Sequence, residues 1–257
     1  MSSDYYPLSD LLHVMQVMRD EEKGCAWTRS QTWYSLTEHT LEEAYELVDA
    51  IEHKNAIDVK YELADLLNQV IFYAQIAKEQ KLFDFNDIVH VLTDKLIRRH
   101  PDVFGDGQIR EIELLEKQWQ QIKQKERGER QSELDEIALN LPALSMAKKL
   151  QMRASAVGFD WDNIEDVFDK LVSEVNELKQ VLKVDEKKAQ EELGDLMFSC
   201  VNLARHLKAD PEMLLRGANK KFERRFRGIE IALKEKKRHI RDVSLDELNA
   251  LWEAQKK

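Results

Sequence analysis

Residues 62–74 read Glu62-Leu-Ala-Asp65-Leu-Leu-Asn-Gln-Val-Ile-Phe-Tyr-Ala74, and residues 192–201 read Glu192-Leu-Gly-Asp195-Leu-Met-Phe-Ser-Cys-Val201. Each opens on a Glu-x-x-Asp pair and then runs apolar around most of a helix circumference. A helix that is apolar nearly all round is expected to be buried. Its carboxylates then leave water at least in part, and an unpaired buried charge is strongly unfavourable.

The surrounding chain is helical in the same sense. Ile164, Phe168, Leu171, Val175, Leu178 and Leu182 recur at spacings of four and three, one continuous helix stripe. The pattern predicts helices near 8–20, 36–54, 58–81, 85–99 and 111–127, then near 142–156, 163–183, 186–208, 211–237 and 245–256. The prolines Pro7, Pro101, Pro142 and Pro211 fall at the breaks. Asp210-Pro211 reads as a helix start, Asp as cap and Pro in the first helical position. Ser35-Leu-Thr-Glu38 and Ser244-Leu-Asp-Glu247 read as capping boxes. With 8 Gly and 4 Pro in 257 residues, the chain is too poor in turn formers for many hairpins. The expected fold is all-α.

The two sets of helices resemble each other. Gly24-Cys-Ala-Trp27 parallels Gly158-Phe-Asp-Trp161, and Glu43-Ala-Tyr-Glu46 parallels Glu174-Val-Asn-Glu177. The two Glu-x-x-Asp segments follow at matching distances. Lys95-Leu-Ile-Arg-Arg99 then parallels Lys221-Phe-Glu-Arg-Arg225, and Trp119 parallels Trp252. This order predicts a tandem duplication: one domain over 1–127, a polar linker over 128–140 and a second domain over 141–257, each in four-helix-bundle-type packing.

Charge and cysteine usage narrow the function. Lys plus Arg number 39 and Asp plus Glu 49, a net charge of −10 that argues against broad nucleic-acid binding. Cys25 and Cys200 stand apart in no metal-binding or disulfide pattern, which fits a reducing cytoplasm. The first residues lack the basic-then-apolar order of a signal peptide. The strongly apolar stretch 63–77 is broken by Asp65, Asn68 and Gln69, so no membrane span is expected.

Carboxylates from adjacent helices would repel one another, and a hard divalent cation removes both the repulsion and the desolvation penalty. All-oxygen ligands select Mg²⁺, with Mn²⁺ as substitute, and Mg²⁺ commonly completes its shell with substrate phosphates. The expected ligands are Glu174, Glu177, Glu192 and Asp195, with a second set in Glu43, Glu46, Glu62 and Asp65. A di-iron bundle would need His where Asp65 and Asp195 stand. Lys170 and Lys188 each precede an acidic residue by four, and Lys221 and Arg225 share a later helix face. Each fits an ordinary ion pair; as a set they would suit a polyphosphate. Trp252 suits either a core or a base-stacking platform. No Walker or GxGxxG loop is present.

The run Glu42-Glu43-Ala-Tyr-Glu46 followed by Glu62-Leu-Ala-Asp65 resembles the EExxE…ExxD pattern of the MazG family of all-α nucleoside triphosphate pyrophosphohydrolases. The likeness extends through Arg98-Arg-His-Pro-Asp-Val-Phe104, Val157-Gly-Phe-Asp-Trp161 and Lys221-Phe-Glu-Arg-Arg-Phe226. It implies Mg²⁺-dependent hydrolysis of an NTP or dNTP to the monophosphate and pyrophosphate by a homodimer. In two-domain members it points to the second domain as the catalytic unit. Glu174, Glu177, Glu192 and Asp195 would then hold metal, with Lys170, Lys188, Lys221, Arg225 and Trp252 around the nucleotide. The second domain has Ser173 at the first Glu of the motif, and Glu191 is the candidate substitute base. The competing reading is a non-catalytic dimeric helical adaptor or nucleotide sensor that uses the acidic faces to bind partners.

Overall fold

The computed structural model describes residues 5–105 and 131–256, with Glu111, Leu114, Leu115, Gln118, Trp119, Ile122 and Glu126 between them. Among these residues every regular element is helical. The first group is α1 (Leu8–Met18), α2 (Ala26–Ser30), α3 (Thr37–Glu52), α4 (Ala56–Glu79), α5 (Phe85–Arg99) and α6 (Pro101–Phe104). The second is α7 (Ala143–Ser155), α8 (Ile164–Val181), α9 (Glu186–His206), α10 (Pro211–Glu235), a 3-10 turn at Ile240–Asp242, and α11 (Leu245–Ala254). The all-α expectation holds. The helix expected at 111–127 and the start of the expected linker lie largely outside the described residues. No helix among the described residues is long and apolar enough to cross a membrane.

The chain divides into two compact units, Met1–Gly128 and Glu129–Lys257. In the first, α3 and α4 pack together, and α1 and α5 lie against α4. Met15, Leu36, Ile71, Phe72 and Ile76 form its core, with Leu12, Tyr73 and Phe85 against it. Each such side chain contributes about 1.5–3 kcal/mol by leaving water. In the second unit α8 pairs with α9, and α7 packs on α9 and α10. The stretch 131–140, read as linker, joins this unit: Ile137 is buried.

The two central helices carry the same exposure pattern. Glu62 and Leu66 are half-buried and Gln69 buried; Glu192, Leu196 and Ser199 repeat this order. The expected full burial does not occur. Leu63, Leu67 and Val70 on α4 stay exposed, as do Leu193, Met197 and Cys200 on α9. On α8, Val167 and Glu174 are buried, while Phe168 and, at the C-cap, Leu182 from the predicted stripe are open.

Helix ends follow the expected capping chemistry at some positions and depart from it at others. Asp210 caps α10 by accepting from the Met213 N–H, with Pro211 in the first turn. Ser244 Oγ accepts from the Glu247 N–H at 3.3 Å. Ser35 does not cap α3. Its hydroxyl accepts from the Thr32 N–H at 2.9 Å and donates to Gln31 Oε1 at 2.7 Å, so the helix begins after Leu36. The reciprocal capping box is instead Asp84 with Asp87 on α5.

Among the described residues, four helices end on a lysine in the left-handed region: Lys54, Lys81, Lys208 and Lys237, with φ of 56°, 57°, 56° and 54°. Each closes the helix in the same way; at Lys81, for example, its N–H reaches Lys78 O at 3.0 Å and the Leu82 N–H reaches Ala77 O at 3.0 Å. This is the paired C-terminal motif that most helices give to glycine. At the end of α7 the corresponding residue is Gly158, with φ of 88°.

Candidate active site

Residues three and four apart share a helix face, so α8 presents Lys170, Glu174 and Glu177 together. The same spacing on α9 presents Glu192 and Asp195. Packing α8 on α9 brings one oxygen each of Glu174, Glu192 and Asp195 within 4.8 Å of the others. Glu174 is buried, Glu192 half-buried and Asp195 exposed. Lys170 Nζ lies 2.6 Å from Glu174 Oε1 and 3.9 Å from Glu177 Oε1. Its hydrogen bond to Glu174, reinforced by the charges of Glu174, Glu177 and Asp195, holds the ammonium above the usual lysine range against partial burial. Glu177 stands outside the three-carboxylate cluster; it accepts a 2.7 Å hydrogen bond from Ser173 Oγ, the residue at the first Glu position of the motif.

The first unit repeats the cluster with Glu43, Glu62 and Asp65, again within 4.8 Å, and Glu46 outside it. Here no lysine sits four residues earlier. His39 does, and its Nδ1 lies 3.7 Å from Glu42. Burial first, then Asp65, Glu46, Glu62 and Glu42, push the Glu43 carboxyl up. Burial, then Glu46, Asp65 and Asp58, do the same to Glu62. Both clusters have the hard oxygen donors and the mutual repulsion that a divalent cation relieves, so either could hold a metal.

Beside the second cluster opens a cavity of about 620 Å³. Lys170, Glu174 and Asp195 share its wall with Phe159, Trp161 and Phe198. Charged groups and flat apolar surfaces therefore meet in one space, of the size that small-molecule sites have. Gly158 makes this possible: its positive φ turns the chain so that Phe159, Asp160 and Trp161 line the cavity. Asp160 and Arg205 then fix the wall through a two-point pair, one arm at 2.7 Å.

In the first unit the corresponding positions are filled. Phe72 lies seven residues after Asp65, as Asn202 lies seven after Asp195. Trp27, the counterpart of Trp161, packs edge-on to both Phe72 (6.4 Å) and His39 (5.9 Å). Asn202 and Lys170 stand where Phe72 and His39 do, and there the cavity is open. The first glycine of the repeat serves a different need: a Cβ at Gly24 would come within 2.5 Å of Asp20 O.

The structure does not bring every expected residue to this wall. Lys188 and Glu191 are exposed on the first turns of α9 and do not line the cavity. Arg225 on α10 and Trp252 on α11 form a separate group, and Lys221 is exposed on α10. The Arg225 guanidinium lies 5.5 Å from the Trp252 ring centre, with Phe222 against the same ring at 5.2 Å. Sequence reading missed Gln151, Phe198, Asn202 and the Asp160–Arg205 pair. The repeat alignment carried one usable signal, Phe72 set against Asn202.

Fold and site together define an all-α protein with a cluster of three carboxylates that could hold a metal in each of two helical units. A model of the MazG nucleotide pyrophosphohydrolase domain matches residues 31–104. Over 252 residues, 96% of each chain, the sequence is 44% identical to a nucleoside triphosphate pyrophosphohydrolase of Escherichia coli. Over 248 residues, 96% of this chain and 94% of the other, it is 43% identical to the nucleoside triphosphate pyrophosphohydrolase/pyrophosphatase MazG of Thermotoga maritima. The chain belongs to the MazG family.

Proposed function

We propose that this protein is a nucleoside triphosphate pyrophosphohydrolase acting in nucleotide pool control, converting an NTP or dNTP and water to the monophosphate and pyrophosphate. The observation that carries this reading is the single cavity in which Lys170, Glu174 and Asp195 adjoin aromatic walls. A nucleotide needs both surfaces: charge for phosphates, apolar planes for a base.

Glu174, Glu192 and Asp195 would hold Mg²⁺, or Mn²⁺ in its place, with Glu177 at the margin. The bound ion would supply neutralisation of the charge that builds on the phosphate oxygens. Lys170 contributes a fixed positive charge beside the same oxygens. Glu177, aimed by Ser173, orients the attacking water and takes its proton. Attack at the α-phosphorus then releases pyrophosphate. Lys188, Glu191, Lys221, Arg225 and Trp252 lie outside this cavity. The exposed apolar rows Leu63–Leu67–Val70 and Leu193–Met197–Cys200 support a homodimer. Two exposed free thiols, Cys25 and Cys200, support a reducing, cytoplasmic setting.

Product analysis tests the reading. Pyrophosphate and monophosphate are expected; orthophosphate and diphosphate would refute it.

A further inference from the structure

We infer that Gln151 is a specificity-determining residue of this site, acting as an obligate hydrogen-bond acceptor for the edge of the nucleobase. The inference rests on the pyrophosphohydrolase reading and assigns the base its place within it.

Gln151 sits on α7, is only 8% exposed, and lines the cavity. Its Nε2 donates to Phe198 O at 2.9 Å. A carbonyl oxygen accepts only, so the amide cannot turn over: that would set two oxygens against each other. Oε1 is therefore fixed in place, and it is buried with no partner among the described residues. A buried acceptor left unpaired is unfavourable and is uncommon in folded proteins. A ligand that donates an N–H to it removes that penalty.

The neighbours suit a base. Phe159, Trp161 and Phe198 offer flat apolar surface in the same wall. Arg205 has both terminal nitrogens committed to Asp160, yet its Nε is also buried and unpaired. Two residues of the cavity wall thus carry orphan groups, an acceptor on Gln151 and a donor on Arg205. The matching ligand is a heterocycle with an N–H beside a ring nitrogen or carbonyl oxygen. All four standard bases carry this on their Watson–Crick edge: the amino groups of adenine and cytosine, the ring N–H of guanine and uracil. Gln151 would therefore admit all four and reject a base whose edge lacks the N–H or carries an alkyl group in its place.

The test compares kcat/KM, by pyrophosphate release, for paired substrates in the full-length protein. ATP is set against purine riboside triphosphate, CTP against the pyrimidin-2-one nucleotide, and UTP against its N3-methyl form. The wild type is expected to favour the donor-bearing member by about tenfold or more. In Gln151→Met the preference should fall to about one- to twofold, with the loss appearing in KM and kcat largely kept. If the variant folds poorly, the wild-type ratios alone decide. Equal turnover of each pair by the wild type, or an unchanged preference in a folded Gln151→Met, would overturn the inference while leaving hydrolysis standing. Failure of every nucleotide to release pyrophosphate would overturn the underlying reading as well.

Discussion

Lys170 Nζ holds Glu174 Oε1 at 2.6 Å, and Glu174 is the one buried carboxylate of its cluster. In the first unit no lysine stands at this place; His39 does, with its Nδ1 3.7 Å from Glu42.

Lys170→Met leaves Glu174 buried and unpaired. Lys170 itself is 43% exposed, so the cost is well below that of a fully buried pair, about 1 kcal/mol. The variant should melt lower than the parent without metal, and Mg²⁺ should raise its Tm by more than it raises the parent's. Equal Mg²⁺ shifts would show that Lys170 does not neutralise Glu174.

Glu177→Gln should lower kcat/KM by about a hundredfold or more, as expected for loss of a proton acceptor. Glu46→Gln should cost no more than about threefold, because its cluster lacks the lysine that Lys170 supplies in the second unit. Steady-state kinetics on both purified variants decide between the units. The reverse order would make the first unit the enzyme.

Asn202→Phe recreates in the second unit the side chain that Phe72 supplies in the first. KM should rise by about tenfold or more as the cavity fills, while stabilisation by Mg²⁺ alone persists. A thermal scan with Mg²⁺ beside a KM measurement separates the two effects. Loss of the Mg²⁺ effect would mean that the cavity and the carboxylates are not separable.

Arg205 first, then Ser155 and the Trp161 N–H, hold the Asp160 carboxyl well below the usual carboxylate range against partial burial. A depressed folded-state pKa stabilises above the unfolded value, near 4, and that stability fades as pH falls toward the folded value. Asp160→Asn should thus cost about 1–3 kcal/mol at pH 7. The gap should be undiminished at pH 5 and should narrow below about pH 4. Urea titrations along this series check it; a gap that grows on acidification would exclude the pair as its source.

The helices were legible because each long segment repeats its apolar residues every three to four positions. The short α2 and α6 were not, since five or four residues carry no period. Ser35 has the right neighbours for a cap, but a competing turn with Thr32 and Gln31 takes its hydroxyl. Spacing on two helices made three carboxylates of each expected set readable, while Glu46 and Glu177, one turn further along their helices, stand outside the clusters. The cavity was not readable, because Gln151, Asp160 and Arg205 meet only through tertiary packing, and nothing local in the sequence pairs them. The placement of Trp252 with Arg225 and Phe222 was likewise a matter of packing.

The four lysines that end helices in the left-handed region carry a consequence of their own. A non-glycine residue there costs roughly 1 kcal/mol of backbone energy. The end of a helix also carries about half a negative charge, and a cation close by recovers roughly 0.3–1 kcal/mol at low ionic strength. At Lys54, Lys81, Lys208 and Lys237 the chain sets an electrostatic gain against a steric loss of similar size. Salt screens the first and leaves the second untouched, so helix termini in this protein should loosen as ionic strength rises, where glycine-ended helices would not.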